Sequence, residues 1–266
     1  MNPAIKMIVT DLDGTLLRSD LSISRYTLDV LRRCGDVGIK LVFATGRGGS
    51  SEQIVPLGVF DGRITNNGAV TVADGAEYKR LIPYMEARPL LLACDRRGYM
   101  VTSQQSDMHY TNFDVSKVWP SVKNYLIVDF TQHELDAEKI CMDIHTDEEE
   151  AFIRSYLAED MYLTIARDKL GMIMHRDATK SKALAGLARV WGFDVSEIVA
   201  FGDDLNDIDM LSFAGVGVAM GNALDEVKSA ADCVCGGNEE DGLARWIEAN
   251  ILYGDGSRCQ MGTDLD

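Results

Sequence analysis

The feature that most limits this chain's fold is an alternation of short apolar runs and helical patterns at both ends, broken in the middle. Residues 5–10 (IKMIVT) form a β-rich run followed by a turn-like DGT. Residues 24–35 set Leu28 and Leu31 at helical spacing behind a capping Ser24, and residues 40–45 (KLVFAT) form a second, nearly all-apolar strand. Strand, helix and strand over about 40 residues make a βαβ unit, whose parallel strands are buried on both faces. The rhythm returns late in the chain: a helix at 182–191, a strand at 197–201 (EIVAF), a helix at 208–213 and a strand at 215–220 (GVGVAM). A helix at 222–230, a strand at 232–235 and a last helix near 243–248 complete it. The expectation is an α/β fold with a doubly wound, mostly parallel sheet.

Residues 83–178 lack that rhythm. They hold Pro83 and Pro89, β-like runs at 99–103, 125–130 and 139–145, and an acidic helix at 147–159. This reads as an inserted α+β domain with an antiparallel sheet, so that residues 1–82 and 179–266 form the core and 83–178 the insertion. The Gly-rich, polar tail after about residue 253 reads as disordered.

Composition removes several classes of function. The formal net charge is -16 and no basic cluster appears, which argues against a nucleic-acid partner. Six cysteines (Cys34, Cys94, Cys141, Cys233, Cys235 and Cys259) contain no C-x-x-C pair, so reduced thiols are expected rather than a disulfide framework or zinc site. Charged Lys6 and Asp11 precede any long apolar run, and no run approaches membrane-spanning length, so a cytoplasmic protein without a signal peptide is expected. His109, His133, His145 and His175 show no ligand spacing. Gly215, Gly217 and Gly221 fail the dinucleotide-fold spacing, and Gly46, Gly48 and Gly49 lack the Gly-Lys-Ser/Thr of a P-loop.

The chemistry concentrates at the strand ends. Asp11 and Asp13 stand two residues apart in DLDGTL, directly after the first strand, where open α/β sheets bind ligands. One carboxylate can attack or bind metal while the other handles protons. Residues 44–47 (ATGR) end the second strand with a hydroxyl on Thr45 and a small Gly46 beside it. Residues 202–207 (GDDLND) follow EIVAF, and Asp203, Asn206 and Asp207 can be aimed at one point by a loop turning into a helix. Hard oxygen groups so clustered suit Mg²⁺. Asn66-Asn67-Gly68 reads as a hairpin turn.

These segments, in this order, resemble the four motifs of the haloacid dehalogenase (HAD) superfamily, and the resemblance covers nearly the whole chain. DLDGTLL is similar to its first motif, Thr45 to the second, Lys180 in TKSKAL to the third, and GDDLND to the fourth. The usual third motif has Gly after its lysine; here Ser181 follows, and a second lysine stands at 182. The insertion, the GVGVAMGNA segment and the late Glu240-Asp241-Gly242 point to the Cof-type branch, subfamily IIB, which carries a C2B-type cap.

The resemblance implies a Mg²⁺-dependent phosphatase acting on a small phosphorylated metabolite through an aspartyl-phosphate at Asp11. It implies catalytic roles for Asp11, Asp13 and Lys180. Phosphate contacts would come from Leu12, Thr45, Gly46, Arg47, Asn67, Lys180 and Asn206. Metal contacts would come from Asp11, Asp13 (through its carbonyl) and Asp203, with Asp207 at the metal site holding its waters. Asp13 is expected to begin protonated, through neighbouring carboxylates or desolvation. A phosphomutase using the same aspartyl-phosphate and a non-catalytic phospho-metabolite binding protein are the alternatives.

Overall fold

The computed structural model describes residues 4–120, 122–166 and 169–254. Cys259 and most of the polar tail lie outside them. The described chain divides into two compact units, residues 1–77 with 179–266, and residues 78–178.

In the first unit the chain runs β1 (Met7–Thr10), α1 (Arg25–Asp36), β2 (Lys40–Ala44), β3 (Gly62–Thr65) and β4 (Val70–Ala73), and β5 (Ala76–Lys79) spans the boundary. The inserted unit runs α2 (Tyr84–Arg97), β6 (Thr102–Gln105), β7 (Met108–Thr111), β8 (Tyr125–Ile127), β9 (Lys139–Asp143), α3 (Asp147–Arg154), β10 (Met161–Ile165) and β11 (Leu170–His175). The chain then returns with α4 (Lys180–Trp191), β12 (Ile198–Gly202), α5 (Ile208–Phe213), β13 (Val216–Ala219), α6 (Asp225–Ala230), β14 (Cys233–Val234) and α7 (Gly242–Ile247).

The first sheet has the order β14-β13-β12-β1-β2-β3-β4-β5, parallel from β14 to β3 and antiparallel at β3–β4. Every residue of β1, β12 and β13 is buried, as strands covered on both faces must be. Local chemistry sets the helix ends. The Ser24 hydroxyl accepts from the Thr27 amide at the start of α1, and the Thr179 hydroxyl accepts from the Lys182 amide at the start of α4. Helix α4 thus begins two residues before the hydrophobic pattern suggests, and Lys180 is its first residue. The chain leaves β1 for β2 on one side while β12 flanks it on the other. The carboxyl end of β1 is therefore a topological switch point, where such sheets form a crevice.

The inserted unit has a six-stranded sheet, β10-β11-β9-β6-β7-β8. An entirely antiparallel sheet was the expectation, but β7 and β8 pair in parallel. The connection between them is long enough to carry the chain back to the starting end, so β8 enters in the same direction as β7. Pro83 caps α2, and Pro89 sits inside it, where its missing amide costs the bond to the carbonyl four residues earlier. Leu90, Leu91, Cys94, Ile140, Met142 and Ile153 belong to this unit's own apolar core, and that burial carries the helix across the defect. Among the described residues the five cysteines are free, and no helix is long and apolar enough to cross a membrane.

Burial pushes the imidazole of His109 on β7 down from its ordinary 6.5 to about 4; Lys139 adds to the shift and Asp107 opposes it. A folded-state value below the unfolded one means that the unfolded chain binds the proton first as pH falls. Above pH 6.5 the two states do not differ at this group. The stability of the wild-type protein relative to His109→Gln should therefore shrink between about pH 6.5 and 4, then level off, in urea titrations at a series of pH values. A difference that does not change over this range would show that His109 is not held neutral.

Candidate active site

The site is assembled from the carboxyl ends of β1, β2 and β12 and the amino end of α4. Asp11 follows β1 directly; its amide bonds the Phe201 carbonyl on β12 at 2.9 Å, which fixes the carboxylate at the sheet's edge. From α4, the Lys180 ammonium reaches Asp11 Oδ1 and Asp207 Oδ1, both at 2.6 Å, with the lysine 1% exposed. Lys182 lies on the exposed side of α4. Ser181, which stands where the related motif has Gly, donates its hydroxyl to Asp209 at 2.6 Å and so ties α4 to α5.

Asp207 is wholly buried and fully used. Its Oδ1 takes Lys180, and its Oδ2 accepts from the amides of Asp203 and Asp204, both at 3.0 Å. It shapes the Asp203 loop from behind. Asp203 Oδ1 accepts the Thr15 hydroxyl at 2.7 Å. Gly14, with φ +77°, lies so close to the Asp203 carboxylate that a Cβ there would collide with it. The motif needs glycine at this position for both reasons.

Asp11, Asp203 and Asp207 offer carboxylate oxygens within 4.8 Å of one another. Burial raises the Asp11 carboxyl, Lys180 pulls it back, and Asp207 and Asp203 add to the rise. Burial likewise lifts Asp203 to about 6; Thr15 opposes this, and Asp207 and Asp204 add to it. Burial alone would disfavour the Lys180 ammonium, but Asp11 and Asp207 outweigh that and hold its pKa above the ordinary lysine value. Three carboxylates thus face one ammonium, and the local charge remains negative. Oxygen-only donors with uncompensated negative charge fit a hard divalent cation such as Mg²⁺.

Asp13 does not join this cluster. Its carboxylate is forked onto Arg47, at 2.7 Å from Nε and 2.6 Å from Nη2, and its side chain is 45% exposed. The expected setting of desolvation and adjacent carboxylates is therefore replaced by a guanidinium. Both of its oxygens are taken by hydrogen bonds from that guanidinium. Any metal contact from Asp13 falls to its backbone carbonyl.

The remaining candidates surround the same strand ends. Leu12 is buried in the core, so only its backbone can contribute. Thr45 is buried and its hydroxyl accepts the Arg47 amide at 3.1 Å. Asn66 and Asn67 turn from β3 to β4 with φ of +49° and +53°, and the Asn67 amide bonds the Thr45 carbonyl at 2.9 Å. The hairpin reading therefore holds, and the turn also packs on the Thr45 loop. A Cβ on Gly46 would lie 3.1 Å from Asn67 Oδ1, and Asn206 Nδ2 donates to the same oxygen at 2.9 Å. Sequence alone assigns no role to Thr15, although it sits inside DLDGT, and marks Ser181 only as a departure from Gly. A hydroxyl's partner across 188 residues leaves no local signal.

Residues 8–247 match the model of the haloacid dehalogenase-like hydrolases. A curated relative from Bacillus subtilis, the 5-amino-6-(5-phospho-D-ribitylamino)uracil phosphatase YcsE, is 31% identical over 93% of this chain and 96% of its own. Among solved structures, a phosphatase of the HAD superfamily from Bacteroides thetaiotaomicron has a TM-score of 0.79 at 30% identity, over 92% of this chain and 94% of that one. A HAD subclass IIB sugar phosphatase also has a TM-score of 0.79, at 26% identity, over 91% of this chain and 98% of that one. These matches run along almost the full length of the chain, which belongs to the haloacid dehalogenase-like hydrolases as a Cof-type phosphatase.

Proposed function

We propose that this phosphatase hydrolyses a small phosphorylated metabolite, a sugar phosphate or similar, with Asp11 as nucleophile and Mg²⁺ as cofactor. The observation that carries the reading is the Asp11 carboxylate at the tip of β1, held through one oxygen by a buried ammonium. Among the described residues no donor reaches its other oxygen, Oδ2, which is the one available to attack phosphorus. The relatives named for a phosphoribitylamino-uracil and for sugar phosphates support the substrate class. The inserted unit, residues 78–178, is the cap that selects the leaving group.

Attack by a carboxylate on a phosphate dianion meets like-charge repulsion. Lys180 stays protonated and offsets part of it, a charge pair at about 4 Å being worth ~4 kcal/mol at an effective dielectric of 20. The side chains of Asp11 and Asp203 with the Asp13 carbonyl would hold Mg²⁺, and Asp207 would brace them from behind. Bound there, the cation supplies the remaining positive charge and orients the phosphate. Thr45, the Gly46 amide, Asn67 and Asn206 position the transferred group, and the backbone of Leu12 lies beside it.

Arg47 has two possible anionic partners, Asp13 and the phosphate. When the guanidinium fork passes from Asp13 to phosphate oxygens, the freed Asp13 carboxylate takes up a proton from solvent and gives it to the leaving oxygen. It can then take one from the water that cleaves the aspartyl-phosphate.

Asp11→Asn should lose roughly 10⁴-fold or more in kcat while melting as a folded protein. Removal of divalent ions with EDTA should abolish turnover of a phosphorylated-metabolite panel, and added Mg²⁺ should restore it. Near wild-type turnover in either case contradicts the nucleophile or the cofactor. Asp13→Asn should slow kcat by about 10²–10⁴-fold with a flattened pH dependence, in line with general acid–base contributions. An unchanged pH profile removes Asp13 from proton transfer.

A further inference from the structure

The late Glu240-Asp241-Gly242 segment has no part in the chemistry above, yet it is built with unusual care. Asp241 has φ +59°, in the left-handed region, and Gly242 packs so tightly on the Gly236 carbonyl that a Cβ would overlap it. The Gly221 amide also bonds the Gly236 carbonyl, at 3.1 Å, which joins the loop after β13 to the loop after β14. Strain and close packing of this kind persist only where the surroundings hold them.

What the joined loops grip is the turn that follows Asp13. Asn222 Nδ2 donates to the Gly14 carbonyl at 2.8 Å, and Asn238 Nδ2 donates to the Leu17 carbonyl at 2.9 Å. The two asparagines are themselves linked, the Asn238 amide donating to Asn222 Oδ1 at 3.0 Å. Glu239 Oε1 accepts both the amide and the hydroxyl of Ser19, at 2.8 and 2.7 Å. Asp241 accepts Arg18 Nη2 on both oxygens, at 3.0 and 3.1 Å, and the Thr27 hydroxyl at 3.1 Å. Burial would raise the Asp241 carboxyl, but hydrogen bonds from Ser24, Arg18 and Thr27 outweigh it and hold the group ionised. Every one of these contacts lies within the first unit, on residues 14–27 and 222–242.

We infer that residues 222 and 238–241 form a clasp that aims Asp13, which makes Asn222, Asn238 and Asp241 positioning residues for the reaction. Gly14 and Leu17 flank the direction in which Asp13 leaves the sheet, and an isolated bridge pairs Asp13 with Leu17. The Asp13 side chain is half-exposed and, among the described residues, held by Arg47 alone, so once that fork passes to phosphate the backbone of this turn sets where the carboxylate can go. A displacement of about 1 Å at a reacting group can cost about 10²-fold in rate, so a clasp remote from phosphorus can matter to turnover. This inference rests on the acid–base role of Asp13 given above.

The test is a double-mutant cycle on the full chain. Asp241→Asn, which keeps the shape and removes the charge, should lower kcat by about 10- to 100-fold with KM within twofold. Asn238→Ala, which removes one donated hydrogen bond, should do the same to a smaller degree. In the Asp13→Asn background each should cost little more, because the group they aim is already gone. Losses that multiply through both backgrounds, or a kcat per folded molecule equal to wild type, overturn the clasp while leaving the phosphatase reading in place. A wild-type protein that turns over no phosphate ester overturns that reading, and the clasp's catalytic role with it.

Discussion

The arrangement depends on a buried ammonium held between two carboxylates. Lys180 occupies the first position of α4, where the helix dipole disfavours a cation, and it has almost no contact with water. Only Asp11 and Asp207 make that position tenable, and removing one partner of such a buried pair costs about 3–5 kcal/mol. The pair therefore acts in both directions. It pins α4 to the ends of β1 and β12, and it sets one oxygen of Asp11 against a fixed positive charge while leaving the other open.

The same geometry explains how a strongly acidic chain can serve an anionic substrate. The net charge of -16 is spread over the molecule, whereas the positive groups at the site are few and fixed in place. Lys180 is held by two carboxylates, and Arg47 is forked onto Asp13, so neither is a loose surface charge. The acidic cluster of Asp11, Asp203 and Asp207 still carries more negative charge than Lys180 offsets. On the proposed reading a divalent ion would turn that surplus into attraction for phosphate, and the protein's field would then matter less than the few ångströms around Asp11.

Much of this was legible in the residues because the signals are local. All-apolar strands, the Ser24 cap and the glycine-rich strand ends identify the parallel sheet, and DLDGTL, ATGR and GDDLND fall at its carboxyl edge. What escaped depends on partners distant in sequence. Nothing near Asp13 indicates that its neighbour would be Arg47 rather than another carboxylate. Asp207 reads as a holder of the metal's waters until both of its oxygens are found committed to Lys180 and to backbone amides. Pro89 looks like a helix breaker, but the apolar core of the inserted unit supports the helix through it. The parallel β7–β8 pair follows from the course of a connection whose residues carry no periodic pattern.

The most direct test of the whole account is a crystal structure of the protein grown with Mg²⁺ and beryllofluoride, which mimics a phosphoryl group on a carboxylate. The account predicts a fluoroberyllate bonded to Asp11 Oδ2, Lys180 in contact with it, a metal ion shared between Asp11 and Asp203, and Arg47 drawn from Asp13 toward the fluorides. A fluoroberyllate on any other residue, or a metal ion bound away from Asp11 and Asp203, would contradict it.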